Sequence, residues 1–240
     1  MRSRLPEWIE QNVKPVIAHA LAASGLKADL SLSGKDRDKL ILAYPANKTG
    51  TGYAAATIQL EFVARATGEP HRRHQVICDV APLIDGITFP TAQPLVMAAE
   101  RTFWEKATAA HVYCPQGWLR GERYSRHWYD LVALWKKPHF NSVAIDRELA
   151  RQVAAHKSVF FSEKDSSGAK IDYFEATSGG LRLIPYGSSL EALERDYIAM
   201  LEDGLLAIEQ PAFETVLANC SIIQDQVNSL ACRDPQSHWE

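Results

Sequence analysis

The chain has 240 residues, 46% hydrophobic and 23% charged, with a formal net charge of −3. That is ordinary globular composition, and it excludes a global electrostatic case for binding nucleic acid. No stretch reaches the roughly 18 uncharged apolar residues of a membrane span, the start lacks the apolar run of a signal peptide, and Cys78, Cys114, Cys220 and Cys232 follow neither a metal-ligand nor a disulfide pattern. A cytoplasmic protein with free thiols is expected.

Residues 5–24 read as a helix: Trp8, Ile9, Val13, Val16, Ile17, Ala20 and Leu21 recur at helical spacing before Gly25. Pro15 interrupts that pattern and predicts a kink near Asn12. Short strands are expected at 28–33, 39–44, 55–65 and, after a turn at 68–71, at 73–81. In the third strand Ile58, Leu60, Phe62 and Ala64 share one face and Thr57, Gln59, Glu61 and Arg65 the other. If the third and fourth strands pair about the turn, Glu61 falls opposite Cys78 or Asp79. Glu61 with Asp79 could then hold a divalent cation through hard oxygen ligands, although a solvated outer face explains the same spacing.

A Pro/Gly-containing loop spans 82–92 and a short extended piece 94–98. Helices are then expected at 100–113 and 125–136, with Ser125 as N-cap and Pro138 as stop. The rest is mostly helical, at 147–161, 188–202 and 213–230, with a flexible loop at 163–170 and a short run at 181–185. The organisation is α+β: a sheet region over 1–98 and a helical region over 99–240.

The stretch 100–131 concentrates the chemistry. Trp104, Trp118 and Trp128 lie in it and Trp135 just beyond, out of six tryptophans. A segment this aromatic builds core, so the charges interleaved with it call for a reason. Lys106 borders an apolar helical face, where it either snorkels to solvent or reaches into a cleft as a point charge for phosphates. Asp130 follows Arg126 by four residues, which reads as a surface ion pair or as a carboxylate at a site. Arg120, Arg123, Arg126, Lys136 and Lys137, interleaved with Trp118, Tyr124, Trp128 and Tyr129, match the recipe for binding single strands as well as that of a solvated rim. The histidines lack metal-ligand spacing, and no nucleophile elbow or phosphate-binding glycine loop appears.

Glu-Arg-Thr-Phe-Trp-Glu-Lys-Ala-Thr-Ala-Ala-His (100–111) and Ser-Arg-His-Trp-Tyr-Asp-Leu (125–131) resemble the AbiEii/AbiGii nucleotidyltransferase toxins, which include the MenT toxins. Tyr44-Pro45, residues 58–65, His156-Lys157 with Phe160-Phe161, residues 181–185, and Asp196-Tyr197 with Met200 follow in family order, so the resemblance covers essentially the whole chain. It implies part of a nucleotidyltransferase-fold mixed sheet followed by a helical half. It also implies transfer of a nucleotide from an NTP, with Mg²⁺, to an acceptor such as tRNA. The implied partner is a cognate antitoxin, an AbiEi-like transcriptional regulator. By position Lys106 matches the lysine of the triphosphate and Asp130 the aspartate of the last motif, with Glu61 a weaker match on the sheet. Arg126, Arg101 and His127 are the implied substrate-binding residues.

One departure stands out. The family's Gly-Gly-Thr/Ser loop and metal-holding Asp-x-Asp pair are not found; Asp36-Arg37-Asp38 has the form without the loop and is expected in a turn. The chain is expected to begin just after those motifs. Three readings follow: a truncated family member, an inactive remnant that binds protein or RNA, or an unrelated α+β binding protein whose motif match is chance.

Overall fold

The computed structural model describes residues 4–34, 37–46, 55–62, 68–118, 123–144, 146–206 and 210–231. The chain divides into two compact units, one of residues 1–67 with 200–205, the other of residues 68–199 with 206–240.

In the first unit, α1 (Leu5–Trp8) and α2 (Lys14–Ala23) are joined by a π turn over Ile9–Val13. This is the kink expected from Pro15. Proline has no N–H to give the preceding turn, and the backbone widens so that Lys14 donates to the Ile9 carbonyl instead. The helix ends at Gly25, whose left-handed φ of +66° lets Leu26 donate back to Leu21.

Three strands follow, β1 (Asp29–Ser33), β2 (Lys39–Ala43) and β3 (Thr57–Glu61), in an antiparallel meander of order β1-β2-β3. Leu40 and Leu42 are buried with Ile9, and Leu5, Val13, Ile17, Leu21, Leu30, Leu32, Leu60 and Phe62 pack around them. The two-residue period of the strands and the helical period of α1 and α2 thus meet in one small core. Ile58 shares the face of Leu60, opposite Leu42, but is exposed. Residues 63–65 of the expected third strand lie outside the described residues, as does Asp36 of Asp36-Arg37-Asp38, while Arg37 and Asp38 sit between β1 and β2.

The second unit opens with β4 (His71–Arg73), β5 (Val76–Ile77), β6 (Thr91–Ala92) and β7 (Leu95–Met97), in two small antiparallel ladders, β4 with β7 and β5 with β6. The single strand expected at 73–81 is therefore split, and its partners lie downstream. β3 pairs with β2, which puts Glu61 opposite Lys39, so the expected juxtaposition with Cys78 or Asp79 does not form. Every described strand pair is antiparallel, where the resemblance implied a mixed sheet.

The helices are α3 (Ala99–Gln116), α4 (Arg126–Trp135), α5 (Phe140–Ala144), α6 (Arg147–Phe160), α7 (Ser188–Glu202) and α8 (Phe213–Ala231). α3 is the hub: α4, α5 and α6 all pack on it, and α8 covers α4. Phe103, Trp104, Ala107, Ala110 and Tyr113 of α3 are buried, and Phe103 stacks on Trp135 with ring centroids 5.4 Å apart. α3 ends at Gly117 in the left-handed region (φ +75°), where a Cβ would also meet the Ser189 hydroxyl at 2.6 Å.

Residues 181–185 run extended through this half without joining a sheet. Leu181 donates to Asn228 Oδ1 and Leu183 to Gln224 Oε1, both at 2.8 Å, while Asn228 Nδ2 and Trp128 Nε1 donate to the Leu181 and Leu183 carbonyls. Side chains of α8 and α4 thus meet backbone needs that a neighbouring strand would ordinarily meet. The stretch 163–170 is not a loose loop. Lys164 and Lys170 face each other across an antiparallel bridge, and the turn between them closes on Asp165, which accepts from the Ser167 and Ala169 amides and the Ser167 hydroxyl.

Candidate functional site

Helical spacing puts Arg101 and Glu105 on one stripe of α3 and Lys106 at its border, and aligns Arg126, His127 and Asp130 on the facing turns of α4. Packing of α4 on α3 brings Lys106 Nζ to 2.6 Å from Asp130 Oδ2. Asp130 therefore pairs across the helix interface, and the local Arg126–Asp130 pair suggested by spacing is not the one it makes; Arg126 is exposed. Lys106 retains 19% of its side-chain exposure and Asp130 36%. This is a half-buried, solvent-reachable ion pair, neither a free surface lysine nor a sealed bridge.

A second ion cluster abuts it. Glu105 Oε1 accepts from Arg101 at 3.0 Å, and Glu105 Oε2 lies 3.0 Å from Lys157 Nζ on α6. Lys157 also donates to the Glu105 backbone carbonyl. Arg101 itself is buried at 4% exposure and donates to the Glu69 carbonyl at 2.6 Å. The expected substrate-binding Arg101 thus has its guanidinium placed where it braces α3 against the segment before β4. Local sequence spacing does not single out Glu105 and Lys157 as site residues, because the hydrogen bond that joins them spans 52 residues.

His127 stands edge-on to Tyr124, ring centroids 4.8 Å apart. Burial pushes its pKa down to about 3, reinforced by the charges of Lys106, Arg126 and Lys157. It is a neutral imidazole among cations, and its Nδ1 is buried with no hydrogen-bond partner among the described residues.

Ser125 does not cap α4 with its side chain. Its amide and hydroxyl both donate to Asp196 Oδ2, at 2.8 and 2.7 Å, and the Arg123 amide donates to Oδ1. Asp196, from α7, thus fixes the entry to α4 and with it the position of His127 and Asp130. Of the interleaved basic and aromatic residues, Trp128 is core, Trp118 is exposed, and Arg120 lies outside the described residues.

Glu61 belongs to the first unit, where Lys39 Nζ lies 2.6 Å from its carboxylate and Gln59 donates to the same oxygen. Among the described residues no three His, Cys, Asp or Glu side chains gather as a metal site would require. Glu61, held by Lys39, does not by itself make up such a set. The cysteines Cys78, Cys114 and Cys220 are free, and burial pushes the Cys114 and Cys220 thiols up to about 12, which makes them inert. Cys232 lies outside the described residues. A cleft of about 700 Å³ lined by Arg72, Glu100, Ser142 and Asp146, among others, includes none of the expected site residues.

His111, fully buried on α3, accepts from the Arg182 amide through Nδ1 at 3.2 Å. Burial lowers its pKa to about 4; Glu175 opposes that shift, Arg182 adds to it and Asp172 opposes it. Both His111 and His127 are neutral when folded, whereas an unfolded histidine takes up a proton near pH 6.5. The unfolded state therefore binds more protons below that pH, and stability is lost as pH falls from about 6.5 towards 4, by at most ~1.4 kcal/mol per pH unit for each histidine. Urea unfolding midpoints at pH 7.5, 5.5 and 4.5 should fall in that order, and His111→Gln should flatten the trend. An unchanged slope in that variant would remove His111 from the account.

The family model for the nucleotidyl transferase AbiEii toxins of type IV toxin–antitoxin systems matches residues 1–219. No curated protein and no solved structure matches the chain. No described helix is long and apolar enough to cross a membrane. With the model matching nine-tenths of its length, from the first residue through α3 and α4 and into α8, the chain belongs to the AbiEii nucleotidyl transferase toxin family.

Proposed function

We propose that this toxin transfers a nucleotide from an NTP to a nucleic-acid acceptor such as tRNA, with Lys106 receiving the triphosphate and Asp130 at the reaction centre. The observation that supports this is the Lys106–Asp130 pair, half-buried at the interface of the two helices that carry the family's closing motifs. A lysine ammonium is a compact cation that exchanges a carboxylate for phosphate oxygens without rearranging its stem. The exchange would leave Asp130 next to the bound phosphates, available to accept the proton of an acceptor hydroxyl as it attacks the α-phosphate and pyrophosphate leaves. His127, neutral and without a charge to compete for phosphate, would act as a hydrogen-bonding group beside them, with the exposed Arg126 on the same helix as a further phosphate ligand.

Phosphoryl chemistry leaves the protein mainly positioning and charge stabilisation to perform. The family brings Mg²⁺ to that task; Glu61, engaged by Lys39, is the one sheet carboxylate proposed for it. An AbiEi-like regulator is the proposed antitoxin, and the cytoplasm the proposed location.

The test is incubation of the purified chain with each of the four α-labelled NTPs, Mg²⁺ and total tRNA. Label on tRNA is expected with at least one NTP, together with growth arrest on expression in cells. No label from any NTP and unimpaired growth would return the chain to the reading of a binding module without activity.

A further inference from the structure

The chain's net charge is negative, so any surface for a nucleic acid has to be local, and the C-terminal end of α6 offers one. Phe160 and Phe161 are 46% and 39% exposed there, although large apolar rings at a helix end ordinarily turn inward. The His156 ring lies 4.9 Å from that of Phe160 and 6.1 Å from that of Phe161, so three flat faces cluster. The Lys157 ammonium sits 5.8 Å from the centre of the Phe161 ring.

An independent observation comes from the hairpin that follows. Lys164 and Lys170 occupy directly opposed positions of an antiparallel bridge, and both are exposed. Like charges placed so are destabilising on their own. Asp165, the carboxylate between them, is spent on the turn and does not relieve them. An anion between the two ammonium groups would. Exposed aromatic faces followed closely in the chain by two opposed, exposed lysines make the combination that binds single strands, rings taking the bases and cations the phosphates.

We propose that Phe160, Phe161, Lys164 and Lys170 form the docking surface for a single-stranded nucleic-acid end, the acceptor of the transfer. The inference rests on the nucleotidyl transfer reading above, which requires such an end to reach Lys106. Phe161 lies one helical turn beyond Lys157, Lys157 is paired to Glu105, and Glu105 is the neighbour of Lys106.

Binding of a labelled single-stranded RNA octamer and of a blunt RNA duplex to the full chain, followed by fluorescence anisotropy, tests the proposal. The single strand should bind more tightly than the duplex. Phe160→Ala and Phe161→Ala should each weaken it by roughly 5- to 150-fold, with Phe161→Trp retaining it. Lys164→Ala with Lys170→Ala should reduce the dependence of log K on log salt by about 0.7 for each phosphate that the lysines neutralise. These side chains are exposed, so circular dichroism of the variants should match that of the unsubstituted chain; the lysine pair carries the test should the phenylalanine variants fail to fold. Unchanged binding in both sets overturns the proposal, as does equal affinity for the duplex. Absence of RNA binding, with self-association that Phe160→Ala abolishes, also overturns it and assigns the rings to a protein interface. RNA binding through Phe160 without nucleotide transfer sinks the functional reading and keeps the docking surface. Transfer with an unchanged KM for RNA in the phenylalanine variants does the reverse.

Discussion

Lys106→Ala is expected to lower nucleotide transfer by about 10²–10³-fold, the usual cost of removing one preorganised charge from a site that works by electrostatics. The fold should barely notice. The partner carboxylate, Asp130, keeps 36% of its side-chain exposure, so leaving it unpaired costs little desolvation, and partly exposed ion pairs contribute on the order of 1 kcal/mol or less. Lys106→Arg restores the charge without restoring the geometry, because a planar fork cannot sit where a compact ammonium does; partial recovery is expected. Rates with labelled NTP and tRNA, measured beside thermal unfolding of the same preparations, separate the two effects. Lys106→Ala transferring at the unsubstituted rate would remove this pair from the reaction.

The largest loss of stability should come from Trp128→Ala. The indole is fully buried, lies edge-on to Tyr113 at 5.3 Å and donates to the Leu183 carbonyl at 2.6 Å. Deleting it leaves a cavity costing about 3–5 kcal/mol and a buried carbonyl without its donor, a further ~1–3 kcal/mol. At roughly 2–4 °C per kcal/mol for a chain of this size, the midpoint of thermal unfolding should fall by more than about 8 °C. Trp128→Phe keeps most of the volume and loses the donor, so it isolates the second contribution. Equal midpoints for Trp128→Phe and Trp128→Ala would mean that the cavity costs nothing.

How much of the molecule is legible in its sequence follows a physical division. Helices write their faces into the local sequence, so α3, α4, α6, α7 and α8 and the oddity of Lys106 and Asp130 are visible at 3.6-residue spacing. The motifs on α3 and α4 likewise carry the family. Partner choice is not local. Asp130 reaches Lys106 and leaves Arg126 aside; Ser125 turns to an aspartate 71 residues away, forgoing its own helix end. The short strands mislead for a related reason: alternation reports which face of a strand is wet, not which strand lies beside it. β3 thus goes to β2, and the run at 73–81 breaks to meet partners at 91–97.

The extended run at 181–185 has a consequence for solubility. Leu-Arg-Leu-Ile-Pro is the kind of short apolar segment whose unpaired main chain would recruit a strand from another molecule. Here the amides of Leu181 and Leu183 are held by Asn228 and Gln224, their carbonyls by Asn228 and Trp128, and Pro185 has no amide to offer. Two side-chain amides one turn apart on α8 therefore do more than fasten the segment. They act as gatekeepers, taking an aggregation-prone edge out of circulation within the chain that made it.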